Sequence, residues 1–289
     1  MSQRKDIKSF LTELKSDPGK FYSYCRMSVN SFEVLLELVG DKISKKDTNW
    51  RCRATVNNFK VIAPRLPPGT KLVASDISPE MLEFCRLHNA LPGTITYELF
   101  DAMTPHLEKS SVWQYAPFGK VFAVMVMQWL SDNRRAIQNM HKLLVPGGEA
   151  VFTVLAKSVH LAAYEELAKD PRWARYMKQD VETFVSPYHR SEDPASEFRQ
   201  LLQSEGFHVV CCDLSPQTFV FPSEAQRRAA LKSVNAFLNR IPEDQKDDFM
   251  DDWMHHMEKL GGLTNDTEPT GETKFCMHCT TLAAVGRKL

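Results

Sequence analysis

An acidic residue that directly follows a short apolar run most restricts how this chain can fold. Residues 72–75 are small or apolar, Asp76 follows them, and Ser78-Pro79-Glu80 begins a helical pattern. Serine is a good helix N-cap, proline fits the first helical position, and glutamate suits the positive helix end. The sequence therefore predicts a strand, a tight turn and a helix, with a carboxylate at the carboxyl end of the strand.

The position of Asp76 allows two interpretations. Ligands bind to open parallel sheets at the carboxyl ends of the strands, and a carboxylate there can accept hydrogen bonds from both hydroxyls of a ribose. Alternatively, Asp76 only stabilises the turn and the start of the helix. The segments that follow favour a nucleoside-binding site.

Strands and helices alternate along most of the chain, which predicts a parallel α/β sheet. The predicted strands after the first are 95–99, 121–127, 149–155, 207–214 and 274–286. The predicted helices are 79–88, 132–144, 161–169, 173–184, 196–205, 223–237 and 243–260. The last two strands are expected to pair antiparallel at the far end of the sheet, and residues 261–273 are predicted to form a polar loop.

Composition and charge argue against several classes of protein. The chain has 289 residues, 43% of them hydrophobic, which is enough for a large domain with an appendage. The formal net charge is zero, so no overall field favours nucleic acid or a membrane surface. The charge is uneven, however, because residues 1–60 hold 12 Lys or Arg against 7 Asp or Glu.

Seven scattered cysteines and an N-terminus without an apolar leader predict a reduced, cytoplasmic protein. No apolar run reaches membrane-spanning length, so we expect no membrane span. Cys276-Met277-His278-Cys279 has a zinc-like spacing, but strand alternation would put Cys279 on the opposite face from Cys276 and His278. We therefore expect no metal cofactor. The sequence does not predict an oligomeric state.

The first 55 residues are expected to form a basic helical appendage. Apolar residues recur at helical spacing over 6–15 and 21–39, and a basic polar stretch follows over 42–53. Within residues 20–53, the segment Phe21-Tyr22-Ser23-Tyr24-Cys25-Arg26-Met27-Ser28 resembles the helical region near the start of Harbinger-type transposases and proteins derived from them. The acidic catalytic core of that family has no counterpart downstream, so no nuclease activity is carried over.

A series of short motifs runs through residues 56–289. The motifs are Leu72-Val73-Ala74-Ser75-Asp76-Ile77-Ser78-Pro79-Glu80-Met81, Phe100-Asp101, Gln128-Trp129-Leu130, Leu143-Leu144-Val145-Pro146-Gly147-Gly148, Val185-Ser186-Pro187-Tyr188 and Val234-Asn235-Ala236-Phe237. With these motifs the segment resembles the class I S-adenosylmethionine-dependent methyltransferases, and among them the arthropod juvenile hormone acid O-methyltransferases. The resemblance implies a Rossmann-like α/β fold, a helical cap over about 157–205 and 223–260, and S-adenosylmethionine as the cofactor.

The resemblance also implies which residues form the site. They are Asp76, Ile77, Asp101 and Ala102 for the cofactor, and Gln128 and Trp129 for the acceptor. Asp76 would hold the ribose hydroxyls, Asp101 would bind the adenine amino group, and Trp129 would lie beside the acceptor's carboxylate. Taken singly, Trp129 equally suits a hydrophobic core, and Asp101 equally suits an ordinary strand end.

A carboxylate acceptor requires little further chemistry from the protein. A carboxylic acid is already ionised at neutral pH and needs no general base. Alignment and desolvation supply most of the acceleration. The lack of a Ser-His-Asp triad or a metal-binding motif is therefore compatible with an enzyme.

The chain departs from the family at the first strand. The family's first strand ends in a Gly-x-Gly-x-Gly turn, whose glycines let the backbone approach the methionine part of the cofactor. This chain has no glycine between Gly40 and Gly69, and the polar, basic residues 42–54 stand in the place of that strand and turn. We expect the first strand to be missing or replaced, the sheet edge there to be open, and cofactor binding to be weak. Residues 42–53 could supply a substitute strand, but Lys45, Lys46, Asp47 and Asn49 make a poor central one. A genuine fusion and an incorrectly joined coding sequence both explain this departure.

The sequence therefore predicts S-adenosylmethionine-dependent O-methylation of a long apolar acid of the farnesoid, juvenile hormone type. The small-molecule acid rests on the resemblance, with support from the aromatic and Met residues of the cap. Two alternatives stay open. One is a catalytically impaired or dead methyltransferase-like protein that still binds the acid. The other is a nucleic-acid-binding relic of a transposase led by residues 20–53.

Overall fold

The described part of the chain is built around one mixed β-sheet. The computed structural model describes residues 51–54, 69–88, 95–177, 181, 185–267 and 273–289. The helices predicted over 6–15 and 21–39 lie outside the described residues.

Within the described ranges the sheet has eight strands. They are β1 (Arg51–Ala54), β2 (Lys71–Asp76), β3 (Ile95–Leu99), β4 (Phe118–Val124), β5 (Leu144–Ser158), β6 (Phe207–Phe221), β7 (Leu263–Thr267) and β8 (Thr273–Lys288). Their spatial order is β3-β2-β1-β4-β5-β8-β6, and β7 also pairs with β8. Strands β1 to β5 run parallel, whereas β8 is antiparallel to β5, β6 and β7. The predicted α/β class and the antiparallel far end are confirmed.

Helices connect the strands, and their caps are read directly from the sequence. The α-helices of the described residues are α1 (Pro79–His88), α2 (Asn133–Leu143), α3 (Val159–Leu167), α4 (Pro171–Met177), α5 (Pro194–Ser204), α6 (Glu224–Val234) and α7 (Lys246–Lys259). The Asp132 carboxylate accepts from the Arg135 amide at 2.8 Å and the Asp193 carboxylate from the Ser196 amide at 3.0 Å. Short polar side chains thus satisfy free amides where helices begin.

Strand β1 fills the centre of the sheet, which makes the expectation of an open edge there wrong. Arg53 is paired in register with Val73 of β2 and with Val121 of β4. A strand needs only backbone N–H and C=O groups to pair, so a polar segment can occupy a position where apolar residues are usual. The predicted division of the chain at residue 55 stays a prediction, although β1 lies on the appendage side of it.

Three strands differ from their predicted bounds. Strand β6 runs to Phe221 rather than ending at residue 214, because it pairs with β8 along its whole length. Strand β4 ends at Val124 rather than at residue 127, because Met125 has a left-handed backbone with φ 52°. Strand β5 begins at Leu144 rather than at residue 149, because Pro146-Gly147-Gly148 forms an irregularity inside the strand.

Strand β7 was predicted as part of a polar loop. Leu263 is buried, and the remaining β7 residues are polar and mostly exposed, so the segment lacks an apolar pattern. Its strand structure comes from pairing with the start of β8, from Leu263 opposite Met277 to Thr267 opposite Thr273. This segment is therefore a strand because β8 is available to pair with it, and not because of its own residue pattern.

A buried apolar cluster fills the space beyond the carboxyl end of β5. We call it the cap cluster; its large members include Tyr164, Trp173, Phe237, Phe249, Trp253, Met177, Met250, Met254, Met257 and Met277. The Tyr164 and Trp253 rings stack with centroids 5.0 Å apart. A second cluster, in which the Phe152 and Phe198 rings touch edge-on, packs α2 and α5 against the sheet.

Candidate functional site

Asp76 lies at the carboxyl end of β2, as predicted. Its Oδ1 accepts a hydrogen bond from the Ser78 amide at 2.9 Å, so Asp76 does stabilise the turn. Its backbone carbonyl accepts from the Phe100 amide at 2.9 Å, which ties the end of β2 to the residue after β3. The carboxylate is half-buried, and the adjacent Ile77 side chain is 64% exposed.

Asp101 repeats this arrangement on the neighbouring strand. It follows β3, and its Oδ1 accepts from the Met103 amide at 2.8 Å. Asp101 and Ala102 are both half-buried. Strands β2 and β3 are parallel neighbours with Asp76 opposite Leu99, so the two carboxylates lie at the same edge of the sheet.

The two carboxylates fit the nucleoside half of S-adenosylmethionine. Each Asp uses one oxygen for its own turn, and a carboxylate has further lone pairs for hydroxyl or amino donors. The exposed Ile77 side chain beside Asp76 offers an apolar surface suited to the face of a purine ring. The residues that follow β1, where the family has its glycine turn, lie outside the described ranges.

Gln128 and Trp129 lie on a short 3₁₀ turn, Met127–Trp129, beyond β4. The turn follows the left-handed Met125, an uncommon conformation for a non-glycine residue. Trp129 is 38% exposed and is therefore not a core residue. Gln128 is buried, and its Oε1 accepts from the Leu155 amide of β5 at 3.4 Å.

These contacts indicate different roles for Gln128 and Trp129. The Gln128 carbonyl oxygen is used by β5, so its amide nitrogen is the group that could donate to a ligand. Trp129 presents an exposed ring at the carboxyl edge of the sheet, which is also the edge of Asp76 and Asp101. The structure thus brings the predicted site residues to one edge, while their roles stay predictions.

A buried histidine that the sequence did not single out lies beside this edge. His160 follows β5 on α3, and its Nδ1 is 2.5 Å from the Ser158 hydroxyl. Burial, with the nearby His189, lowers the pKa of His160 to about 3, so the ring is neutral at physiological pH. Within the described residues, Nδ1 of His189 is buried without a hydrogen-bond partner. No motif in the sequence marks either residue.

The described residues hold no group of three or more metal-binding side chains. In the Cys276–Cys279 segment, the Cys276 thiol faces Asp266 at 3.5 Å, and the His278 ring bonds the hydroxyls of Thr218 and Thr264 at 3.0 Å each. Across the ranges that the structure covers, no helix is long and apolar enough to cross a membrane.

Comparison with known proteins agrees with the fold. Residues 55–152 match the family model described as a methyltransferase domain. Juvenile hormone acid O-methyltransferase of Drosophila melanogaster is 29% identical over 194 residues, which cover 67% of this chain and 64% of that protein. The Bombyx mori protein of the same name is 25% identical over 206 residues, 70% of each chain. The match to the fly protein thus spans less than two thirds of its length.

A solved structure supports the same fold. Phosphoethanolamine N-methyltransferase 2 of Haemonchus contortus, in complex with phosphomonomethylethanolamine and S-adenosylhomocysteine, matches with a TM-score of 0.52 at 13% identity. The match covers 99% of this chain and 61% of that one. The predicted resemblance to class I methyltransferases, and to juvenile hormone acid O-methyltransferases among them, is confirmed; the likeness to transposases is not tested.

Proposed function

We propose that this chain, which carries a methyltransferase domain on the class I methyltransferase fold, transfers a methyl group to the carboxylate of a long apolar acid. S-adenosylmethionine is the cofactor that this domain and fold imply. The observation that carries the proposal is the pair of half-buried carboxylates, Asp76 and Asp101, at the carboxyl ends of neighbouring parallel strands.

In this proposal the two carboxylates hold the nucleoside. Asp76 accepts from the ribose hydroxyls and Asp101 from the adenine amino group, while Ile77 and Ala102 contact the purine. When bound, S-adenosylmethionine supplies an electrophilic methyl group on a sulfonium sulfur. The acceptor carboxylate carries no proton that must be removed, so the residues of the site act by positioning and by excluding water.

In this proposal the methyl acceptor binds at the turn after β4. The exposed Trp129 ring and the Gln128 amide would flank the acceptor's carboxylate. Met125, just before this turn, packs against the cap cluster, whose methionines suit a variable apolar chain because thioethers adapt their shape. The two insect relatives are named for a juvenile hormone acid, which supports a farnesoid acceptor.

Titration and turnover test the proposal directly. Calorimetry with S-adenosylhomocysteine should give saturable binding, and labelled methyl from S-adenosylmethionine should appear in the ester of farnesoic acid. Asp76→Asn should weaken binding by about 2–3 kcal/mol, because the carboxylate acceptor of the ribose is lost while Oδ1 still serves the turn. Asp193→Asn is the matched control, since Asn is an equally good N-cap on α5, the helix that precedes β6 at the opposite end of the strand order from β2. Equal losses in both variants would contradict the assignment of Asp76.

A second candidate is a binding protein that holds the acid but transfers no methyl group. The lack of glycine between Gly40 and Gly69 favours it, because backbone donors to the methionine half are expected to be lost. Losing two or three such contacts would cost roughly 3–5 kcal/mol of cofactor affinity. Binding of farnesoic acid without ester formation would select this candidate, and salt-sensitive binding of duplex DNA alone would reject both.

A further inference from the structure

Two asparagines of α2 donate to the two loops that carry the proposed site residues. Asn133 directs Nδ2 to the carbonyl oxygens of Met127 at 3.1 Å and Leu130 at 2.9 Å. These two carbonyls flank the turn that presents Gln128 and Trp129. One side-chain amide thus closes the acceptor turn.

Asn139 does the same to the cofactor loop. Its Nδ2 donates to the carbonyl oxygens of Ala102 and Thr104, at 2.9 Å each. Asp101 and Ala102 lie in this loop, which the Met103 and Thr104 amides fold back onto Asp101. Asn139 is only 3% exposed, so it supports the loop from inside the protein rather than touching a ligand.

The chemistry of the amide explains why asparagine serves here. A side-chain amide nitrogen has two N–H donors and therefore satisfies two carbonyl oxygens at once. Carbonyl groups of irregular loops have no strand partner, and leaving them buried and unpaired is costly. Both amides are attached to a single helix, so the two loops are held at a fixed spacing.

A contact from the cap reaches one of these amides. The Tyr188 hydroxyl donates to Oδ1 of Asn133 at 3.2 Å, and its ring packs edge-on against Phe198 with centroids 5.5 Å apart. Tyr188 belongs to the Val185-Ser186-Pro187-Tyr188 motif, and it is 5% exposed. This residue therefore links the cap segment to the acceptor turn through Asn133.

We infer that Asn133 and Asn139 are positioning residues, and that α2 sets the spacing between the nucleoside-binding loop and the acceptor turn. The inference rests on the proposed function for its meaning in catalysis. It assigns the two amides to different ligands: Asn139 acts on the cofactor through Asp101 and Ala102, and Asn133 acts on the acceptor through Gln128 and Trp129.

Variants that should each impair one ligand and leave the other unchanged test this assignment in the full chain. Asn139→Ala should weaken S-adenosylhomocysteine binding by about tenfold and leave the KM for farnesoic acid unchanged. Asn133→Ala should raise that KM or lower kcat by about tenfold and leave S-adenosylhomocysteine binding unchanged. Gln138→Ala is the matched control, because Gln138 lies on the same helix and donates to Glu205 at 2.8 Å, away from both loops.

A milder variant guards against loss of folding. Tyr188→Phe keeps the ring and removes only the hydroxyl that holds Asn133, so it should reproduce the Asn133→Ala effect in weaker form. The inference would be overturned if each Asn variant impaired cofactor binding and acceptor use equally, because a merely structural role predicts equal effects on both ligands. Effects no larger than that of Gln138→Ala would also overturn it.

Hydrogen exchange separates this inference from the proposed function. The backbone amide of Trp129 donates to the Val126 carbonyl at 2.9 Å, and the backbone amide of Thr104 donates to the Asp101 carbonyl at 3.1 Å. Asn133→Ala should speed exchange in peptides covering Trp129 only, and Asn139→Ala in peptides covering Thr104 only. This result would support the positioning role even if the wild type bound no S-adenosylhomocysteine, which would reject the proposed function alone. If each variant speeded exchange equally in both loops, the inference would be overturned.

Discussion

At the scale of single residues, exposure separates a ligand-binding role for Trp129 from a core role. Trp113 offers a matched comparison, because both tryptophans lie on 3₁₀ turns and both are 38% exposed. Trp129→Ala should raise the KM for farnesoic acid by about tenfold or more and leave S-adenosylhomocysteine affinity within about twofold. Trp113→Ala should change neither constant.

Unfolding measurements supply the control for that prediction. Both variants should lose less than about 1 kcal/mol of unfolding free energy, because neither indole is fully buried. If Trp129→Ala lost cofactor and acceptor binding equally and unfolded more easily than Trp113→Ala, Trp129 would belong to the core.

His160 predicts a specific pH dependence of stability. Burial lowers its pKa from 6.5 to about 3 in the folded protein. Between these values the unfolded chain binds a proton that the folded chain does not, so stability is lost as the pH falls through this window, by about 1.4 kcal/mol per unit.

A variant that cannot take this proton isolates the effect. His160→Asn keeps a polar atom near the Ser158 hydroxyl and should be less stable than wild type at pH 7. Its disadvantage in urea unfolding should shrink by about 1.4 kcal/mol per unit as the pH is lowered from about 6 to about 4. A constant difference across that range would show that His160 is protonated in the fold.

At the scale of elements, the end of β4 depends on one strained residue. Met125 has φ 52°, and its amide donates to the Thr153 carbonyl of β5 at 2.8 Å. This conformation ends the strand and starts the turn that carries Trp129. A β-branched residue tolerates a positive φ poorly.

Met125→Val should therefore destabilise the protein by about 1–2 kcal/mol more than Met125→Leu. The two variants place similar apolar side chains against the cap cluster, so the difference reports on the backbone. Urea unfolding of both measures it. Equal stabilities would indicate that the backbone at residue 125 relaxes to a negative φ.

At the scale of the whole molecule, four residues of β1 join the two halves of the parallel sheet. Strand β1 pairs with β2 on one side and with β4 on the other. Without it, both neighbours would expose unpaired backbone groups at an edge, which favours aggregation.

Two truncations test the weight of this strand. A chain that begins at Arg51 is the reference. A chain that begins at residue 55 should aggregate or unfold at much lower urea concentration, since it lacks only Arg51–Ala54 by comparison. Size-exclusion chromatography and urea unfolding of the pair decide the point. Identical behaviour would mean that β1 contributes nothing to the sheet.

The sequence by itself determined the features that depend on neighbouring residues. The strand, turn and helix around Asp76 follow from an apolar run, an N-cap serine and a first-turn proline, and all three elements lie where they were predicted. The alternation of elements predicted the parallel sheet, and the place of Asp101 after its strand came with it. Short-range hydrogen bonds and side-chain periodicity suffice for such features.

Only the tertiary structure decided the features that depend on distant partners. The polar segment at Arg51–Ala54 became a central strand because two neighbouring strand edges were available to it. Gln128 is buried and Trp129 exposed on the 3₁₀ turn that follows the left-handed Met125, and no periodic pattern in the sequence distinguishes the two. The roles of Asn133 and Asn139 had no sequence signal, because an amide's function is set by which loop carbonyls the fold brings within its reach.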